Sequence, residues 1–429
     1  MYVSALKITN LRCFASADLD FIHPAQDTHE IANVTLLLGD NAAGKTTILR
    51  AIALAILGES LLYSGFVPDR LIRRTDHASP PRAVVQATCH LDSDESSDAA
   101  PKRFTTDLTR RGDFDAILGI ERPDFEAALY DESSPHLFLV GYGATRRVET
   151  SDRVDLSARE KLRRNRYQRV ATLFEEHVSL TPLSIWLPHL RETSRSRHAE
   201  VERLINAMLD GQARMTGARE GTDYLFEVNG VSAPFNALSD GYRAYIGWIG
   251  DLLYHMCQVC PTKTALHDLT GVVLVDEVDL HLHPDWQRTV VPRLSKALPR
   301  LQFVFTTHSP LVTGTLHTDN IRVVRVAPDG TSSIQRLRER AHGLGTDQLL
   351  LGGYFNLPST RAPDVDDTLR DLSRRARAGD DDASVELLRT LVRGTDSIDE
   401  SPIPAPEPRP RPAKPRKRPP KKTRRSSAG

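Results

Sequence analysis

Eight residues near the start of the chain, GDNAAGKT at 39–46, have the spacing of a phosphate-binding loop. They follow an apolar segment, VTLLL, and open a run of helix-forming residues, TTILRAIALAIL. Backbone N–H groups of such a loop and the N-terminus of the following helix attract phosphate oxygens. We expect Lys45 to reach the β- and γ-phosphates and the Thr46 hydroxyl to bind Mg²⁺. The predicted nucleotide-binding residues of this segment are Gly39, Asp40, Asn41, Ala42, Ala43, Gly44, Lys45, Thr46 and Thr47.

Two adjacent acids end a second apolar segment, VVLVDEVD at 272–279. The carboxyl ends of parallel strands are where open α/β sheets place their ligands. We therefore predict that Asp276 holds Mg²⁺ through water and that Glu277 orients or deprotonates the water that attacks the γ-phosphate. A solvent-exposed acidic turn is the alternative, and the phosphate-binding loop upstream argues against it.

Two further segments place polar groups where a phosphate could lie. LSDGYR at 238–243 puts Ser239 and Gly241 at the start of a predicted helix, although alone this serine would be an ordinary helix cap. His308, in FVFTTHSP, follows the next apolar strand after Asp276, so we expect the two strands to be neighbours. A neutral imidazole there would contact a γ-phosphate or the attacking water, and a capping histidine is the alternative.

Cysteine and histidine pairs elsewhere invite a metal interpretation. Cys257 and Cys260 form a CxxC, but no second cysteine pair accompanies them and their surroundings are apolar and helix-like. His281 and His283 alternate along a predicted loop without a partner pair. We interpret the cysteines as one face of a core helix and predict no zinc site at either place.

The elements around these motifs alternate between strands and helices. Residues 1–60 predict two strands, a third strand and a helix, and 83–140 predict three more strands, AVVQATCHL, KRFTTDL and HLFLVGY. Charged, helix-favouring segments follow at SAREKLRRNRYQRVATLFEEH and HAEVERLINAMLD. A hairpin through Asn229–Gly230 and a helix reaching Cys260 come next. Segment 285–298 predicts one helix kinked at Pro292, before a buried strand at 301–307.

We predict an α/β fold with a mixed sheet and five parts along the chain. They are residues 1–150, with the phosphate-binding loop; a helical insert, 151–222; residues 223–365, with the acids and His308; a short helical extension, 366–400; and a tail, 401–429. The tail contains ten Lys or Arg residues, one acid and many prolines, so we expect disorder there. The whole chain has 56 basic and 56 acidic residues, so its body is acidic.

The longest apolar stretch, at 51–58, is too short to span a bilayer, and no signal-type leader opens the sequence. The four cysteines are too few for a disulfide framework. We expect a cytoplasmic protein without a membrane partner.

The order GDNAAGKT, LSDGYR, LVDEVDLHLHP, TTHSP, together with KITNLRCF and GYGATRR, resembles bacterial ABC-type ATPases related to RecF, Rad50 and OLD heads. The resemblance covers about residues 1–355. It implies a P-loop ATPase head that binds ATP and Mg²⁺ and forms a homodimer, or a higher oligomer, around nucleotide. Ser239 and Gly241 would then act on the partner's γ-phosphate. Arg12 and Arg146 match the family's phosphate-sensing positions only loosely.

The sequence departs from the larger members of this group. The segment between Thr46 and Leu238 is too short and too strand-rich for a long coiled-coil arm, and no Toprim-type acidic cluster follows His308. In this respect the chain is similar to the ATPase partners of the Septu and PARIS anti-phage systems, which implies a separate nuclease or effector chain. Two other hypotheses remain open: a RecF-like repair ATPase that binds nucleic acid, and a scaffold that binds ATP without hydrolysing it.

Overall fold

The computed structural model describes residues 1–22, 31–62, 64, 66, 68–75, 80–91, 100–112, 114–121, 131–148, 165–209, 211, 213–221 and 223–393. It consists of two compact units, Met1–Thr360 and Arg361–Gly429. The predicted disordered tail lies outside the described residues. So does the first part of the predicted helical insert.

The first unit contains a six-stranded sheet with the strand order β16-β15-β3-β14-β13-β7. Its neighbours are parallel except for the antiparallel pair β15–β16. The central strands are buried over almost their whole length, as their continuous apolar runs predict. The strands are β3 Val34–Gly39, β7 Leu139–Tyr142, β13 Gly271–Val275, β14 Leu301–Thr307, β15 Ile321–Val326 and β16 Ser332–Gln335.

A five-stranded antiparallel sheet, in the order β2-β1-β4-β5-β6, packs on the other side of helix α1, Lys45–Leu57. Its strands are β1 Tyr2–Leu11, β2 Phe14–Asp20, β4 Arg82–His90, β5 Lys102–Arg111 and β6 Phe114–Glu121. Because α1 lies between two sheets, nearly all of its side chains are buried. The helix that starts at the phosphate-binding loop is therefore held from both faces.

Two smaller sheets contain the other strands of the described residues. The sheet β10-β11-β12 contains the predicted hairpin, whose turn residues Asn229 and Gly230 have φ of 52° and 78°, as a tight hairpin turn requires. The strands are β8 Arg147–Val148, β9 Ser179–Leu180, β10 Arg214–Glu220, β11 Asp223–Val228 and β12 Val231–Pro234. Strands β8 and β9 pair in parallel.

Among the described residues, the remaining helices of the first unit include two that the sequence predicted as single helices, at 195–209 and 240–259. The remaining helices are α2 Glu59–Leu62, α3 Asn165–Gln168, α4 Leu183–Thr193, α5 Arg195–Leu209, α6 Asp240–Val259, α7 Pro284–Gln287, α8 Val290–Ala297, α9 Pro310–Thr313 and α10 Thr346–Leu351. The long helix α6 confirms the prediction of a helix that reaches Cys260, which is its C-terminal cap. In the part of the chain that the structure describes, no helix combines the length and apolar character needed to cross a bilayer.

Two helix predictions were wrong in detail. The kinked helix predicted over 285–298 is two helices, α7 and α8, and Pro292 lies in the first turn of α8, where its missing N–H costs no helical hydrogen bond. The helix predicted over 157–177 is not continuous in its described part, which holds only α3 and a 3₁₀ turn at Ala171–Leu173. The segment 151–222 also contains strand β10 after its helices.

The second unit, in its described part, is a pair of helices packed on each other, α11 Pro363–Arg377 and α12 Asp381–Arg393. The sequence predicted a short helical extension over 366–400, but no helix that begins at Pro363. Helix α11 was missed because its pattern is strongly charged, with Leu369 and Leu372 as its buried apolar side chains.

Candidate nucleotide site

The phosphate-binding loop joins β3 to α1 at the carboxyl edge of the six-stranded sheet. Gly44 has a φ of 109°, and a Cβ there would lie 2.4 Å from Cys13 Sγ. A Cβ at Gly39 would lie 2.3 Å from the Val324 carbonyl oxygen. Within this described segment no side chain caps the N-terminus of α1, so its first N–H groups remain available to an anion.

The side chains of Thr46, after β3, and Asp276, after β13, are in contact although β14 lies between these strands. The Thr46 hydroxyl donates a hydrogen bond of 2.6 Å to Asp276 Oδ2, and the Thr306 hydroxyl donates one of 2.6 Å to Oδ1. Strand β14 lies between β3 and β13, which confirms the expectation that the strands ending at Asp276 and His308 are neighbours. The phosphate-binding loop and the acidic pair therefore lie at one sheet edge.

The backbone around Glu277 is held by two side chains, Thr306 and Arg146, to which the sequence assigned no such role. The Glu277 N–H donates to Thr306 Oγ1 at 2.7 Å. The Arg146 guanidinium donates to the carbonyl oxygens of Asp276, at 2.9 Å, and of Glu277, at 2.7 Å. Glu277 has a φ of 48°, an unfavourable conformation for this residue type, so these contacts fix a backbone turn that directs its carboxylate.

Arg146 is placed differently from the loose expectation that it senses phosphate. Its side chain is committed to the two carbonyl oxygens, and burial lowers its pKa to about 10 although the surrounding carboxylates act against that shift. The only sequence signal for this role was its position soon after a strand, in GYGATRR.

Lys45 and His308 are in direct contact. The Lys45 Nζ lies 2.7 Å from His308 Nε2 and donates to the carbonyl oxygens of Gly39 and Asp40. Burial, and then the Lys45 charge, lower the pKa of His308. Burial also lowers the pKa of Lys45, opposed by the charges of the nearby carboxylates. A neutral imidazole that accepts from the ammonium satisfies both groups.

Ser239 and Gly241 lie in a second group, beside the loop that follows the acids. Ser239 is exposed and is the N-cap of α6, but its hydroxyl makes no cap hydrogen bond. A Cβ at Gly241 would lie 2.6 Å from the His281 carbonyl oxygen, so the close approach of helix and loop requires glycine. A cavity of about 720 Å³ opens here, between these residues and Trp286. The described hydrogen bonds do not connect this group to Lys45.

Arg12 is exposed at the turn between β1 and β2, and its backbone N–H donates to Leu71. The neighbouring Cys13, not Arg12, contacts the phosphate-binding loop, through the Ala43 carbonyl. Arg12 is near enough to Arg50 for its charge, after burial, to lower the pKa of that guanidinium. The described structure thus gives Arg12 a place near the loop but no contact with it.

The cysteine and histidine pairs that invited a metal interpretation all lie among the described residues. Among the described residues, no three His, Cys, Asp or Glu side chains group so as to hold a metal ion. All four cysteines are free thiols, and burial raises the pKa of Cys257 to about 12. His283 accepts a hydrogen bond from the Asp285 N–H as a helix cap.

The arrangement fits MgATP. An uncapped helix N-terminus and a lysine suit phosphate oxygens, while the adjoining Thr46 hydroxyl and Asp276 carboxylate are the oxygen donors that Mg²⁺ prefers. Glu277 follows Asp276 directly. The site can therefore hold a nucleoside triphosphate with its metal next to a carboxylate.

Two protein-family profiles match the chain. "AAA domain, putative AbiEii toxin, Type IV TA system" matches residues 136–313, and "AAA domain" matches residues 5–92, which include the phosphate-binding loop. Both profiles describe an AAA domain, and together with the motif order they fit an ABC-type ATPase head of the Rad50 and OLD-related group.

Curated relatives of this chain include a Septu protein, a retron ATPase and an OLD nuclease. A Septu protein PtuA of Bacillus mycoides (strain KBAB4) is 22% identical over 85% of this chain and 46% of the relative. A retron Ec83 probable ATPase of Escherichia coli is 29% identical over 52% of this chain and 41% of the relative. An OLD nuclease of Thermus scotoductus (strain ATCC 700910 / SA-01) is 24% identical over 82% of this chain and 68% of the relative. The head thus spans less than half of the first two relatives' lengths.

Among solved structures, the SMC head domain from Thermotoga maritima matches this ATPase head at 14% identity and a TM-score of 0.44. The match covers 79% of this chain and all of that one.

Proposed function

We propose that this chain binds MgATP at the loop around Lys45 and hydrolyses it to ADP and phosphate. The observation that carries the proposal is the hydrogen bond of 2.6 Å between Thr46 and Asp276, because it brings the phosphate-binding loop and the acidic pair into one site. Mg²⁺, when bound, would be held by these two residues and would neutralise charge on the phosphates.

Each residue has a distinct part in this proposal. The N-terminus of α1 and Lys45 bind and orient the phosphates and stabilise charge that develops during transfer. Glu277 aligns a water molecule and accepts its proton. His308 contacts the γ-phosphate or that water, and Thr306 and Arg146 hold the Glu277 backbone in place.

We further propose that two heads close around the nucleotide. Ser239 is exposed, and its hydroxyl is not used as a helix cap, which suits a phosphate contact with a second copy. The absence of any described hydrogen bond between the Ser239 group and Lys45 is consistent with a contact between chains rather than within one.

Glu277→Gln tests the chemistry. We expect ATP turnover to fall by at least about a hundredfold, ATP affinity to change by less than about threefold, and the ATP-dependent closed state of the two heads to persist longer. Asp268→Asn, an acid-to-amide change at a half-exposed 3₁₀ turn, is the matched control and should leave turnover unchanged. Wild-type turnover that survives Glu277→Gln would leave the non-hydrolysing scaffold as the better account.

The biological role that we propose is the gating of a separate effector chain in anti-phage defence, supported by the Septu and retron relatives. The product of the neighbouring gene should then co-purify with the wild-type head, and ATP or Glu277→Gln should change the activity of the complex. A neighbouring gene product that neither binds the head nor responds to nucleotide would contradict this role.

A cluster of arginines favours nucleic acid as a second candidate ligand. Arg12, Arg73 and Arg110 lie together, since Arg12 N–H donates to Leu71, Arg73 N–H donates to Asn10, and Arg110 Nη2 donates to the Arg73 carbonyl. Arg70 is exposed beside them. Several arginines on one surface suit a phosphate backbone.

Fluorescence anisotropy with a DNA duplex over a series of salt concentrations tests this second candidate. Arg70→Ala should weaken binding and reduce the dependence of log affinity on log salt by about one unit. Arg214→Ala, on the exposed strand β10, is the control. Equal effects of the two variants, or no salt-dependent binding at all, would exclude this surface as a nucleic-acid site.

A further inference from the structure

The outward face of helix α12 is apolar and exposed. Val385, Leu388 and Leu391 are exposed by 48%, 63% and 45%, at spacings of three residues. Ala383, on the other side of the helix, is buried at 1%. An amphipathic helix normally turns its apolar stripe toward a partner, so α12 carries a second apolar face besides the one that packs in its own unit.

The start of α12 is held firmly, so this face has a defined direction. Asp380 accepts a hydrogen bond of 3.0 Å from the Ala383 N–H and pairs with Arg375 of α11 at 2.7 Å. These contacts lower the pKa of the Asp380 carboxyl, with the backbone hydrogen bond as the largest cause. The pair of helices therefore presents the stripe from a fixed hairpin.

Charge along α12 indicates what would cover the stripe. Acids occupy its first half, Asp381, Asp382 and Glu386, and Arg389 lies in its second half. A helix with this polarity is complementary to itself when two copies run antiparallel, because the acidic half of one then lies beside the basic half of the other.

We propose that α12 pairs antiparallel with α12 of a second copy of this chain, so that two hairpins form a four-helix bundle. Leu388, in the middle of the stripe, lies at the two-fold axis, and Val385 of each copy packs near Leu391 of the other. Such bundles bury apolar positions between neighbouring helices joined by short loops. This contact is separate from head closure and needs no nucleotide.

A permanent link between two chains would change how ATP acts on the heads. Closure would become an event within one assembly, governed by an effective concentration rather than by the concentration of free chains. The apparent ATP requirement for closure would then be independent of protein concentration over a wide range.

Sedimentation velocity of the nucleotide-free full chain tests the proposal. The wild type should be a dimer at micromolar concentration, and Leu388→Asp should raise the dissociation constant by at least about a hundredfold, since it places a charge at the centre of an apolar contact. Leu118→Asp is the matched control, because Leu118 is 58% exposed on strand β6 of the first unit. A monomeric wild type, or a Leu388→Asp variant that remains dimeric, overturns the proposal.

Disulfide trapping gives a readout that does not depend on disrupting the helix. Leu388→Cys should form a disulfide-linked dimer under mild oxidation, in the absence of ATP, beyond any background from the native cysteines. Thr390→Cys, seven residues from Ala383 and thus on the inward side, should not. Equal trapping of both variants contradicts the arrangement. An ATP-independent dimer in Glu277→Gln that does not change with ATP would refute head closure while leaving this inference intact.

Discussion

The ammonium group of Lys45 lies 2.7 Å from Nε2 of His308, which joins the phosphate-binding loop to the end of β14. This contact works only while the imidazole is neutral, since a protonated ring would place two cations together. Burial and the lysine charge both lower the pKa of His308, while Glu277, Asp279 and Asp40 act in the opposite direction. The site therefore favours a neutral histidine.

The first prediction is a dependence of stability on pH. An unfolded histidine has a pKa of about 6.5 and binds a proton at a higher pH than His308 in the folded chain. Its contribution to the free energy of unfolding should therefore be present above pH about 6.5 and decline as the pH falls from there toward the lower folded pKa.

Urea unfolding of the wild type and of His308→Gln at several pH values between about 7.5 and 5 measures that contribution. The stability of the variant should fall less over this range. His267→Gln, at a side chain that is 54% exposed, should behave as the wild type does. Superimposable pH profiles for wild type and His308→Gln would rule out the coupling.

The second prediction concerns Thr306, which is fully buried and connects Asp276 to the Glu277 backbone. Thr306→Val keeps the shape and removes both hydrogen bonds, so we expect a loss of stability of about 1–3 kcal/mol. Turnover should fall by at least about tenfold, with a smaller change in ATP affinity. Thr106→Val in β5, which removes a buried hydrogen bond to the Leu54 carbonyl of α1, should lower stability without changing turnover per folded molecule.

The third prediction is that Arg146 positions Glu277. Arg146→Lys keeps a positive charge but cannot reproduce a two-pronged contact with two carbonyl oxygens. We expect kcat to fall by about tenfold or more and KM to change little. Arg322→Lys alters a buried guanidinium that also binds backbone carbonyls, away from the site, and is the control. A loss of kcat in both variants would indicate a general effect of buried arginine on stability instead.

The fourth prediction uses two glycines in the left-handed region. Gly44→Ala combines an unfavourable φ with a Cβ 2.4 Å from Cys13 Sγ, whereas Gly112→Ala has a φ of 65° and open space around it. Gly112→Ala should lower the free energy of unfolding by about 1 kcal/mol. Gly44→Ala should lower it by clearly more and should also weaken ATP binding. Thermal unfolding and ATP titration measure the two effects. Similar losses for both glycines would show that space at Gly44 is not limiting.

The motif-bearing half of the site could be predicted from sequence because its parts are local. A glycine-rich loop between strand and helix, or two acids after a buried strand, determines its own geometry, so Lys45, Thr46 and Asp276 were found from spacing alone. The adjacency of the strands that end at Asp276 and His308 followed from the order of the apolar segments.

Other features depend on tertiary contacts that no local pattern encodes. Arg146 reaches the acidic turn only because β7 pairs with β13, and Thr306 was hidden within an apolar strand. Strand β6 was missed because its Phe114 and Leu118 are exposed, so the usual alternation of buried and polar residues is weak. Pro292 is a different case, because proline is compatible both with a kink inside one helix and with the first turn of a new helix. The break between α7 and α8 determines that it lies in a first turn.

Gly241 faces two demands at once. Its backbone forms part of the turn that begins at Ser239. Because it has no side chain, helix α6 can approach the His281 carbonyl so closely that a Cβ at Gly241 would lie 2.6 Å from that oxygen. A variant such as Gly241→Ser could retain every group needed at the surface and still push the helix from the loop that follows Glu277. Mutational tolerance at this position should therefore be set by internal clearance, and compensating changes should arise around residue 281 instead of on a partner molecule.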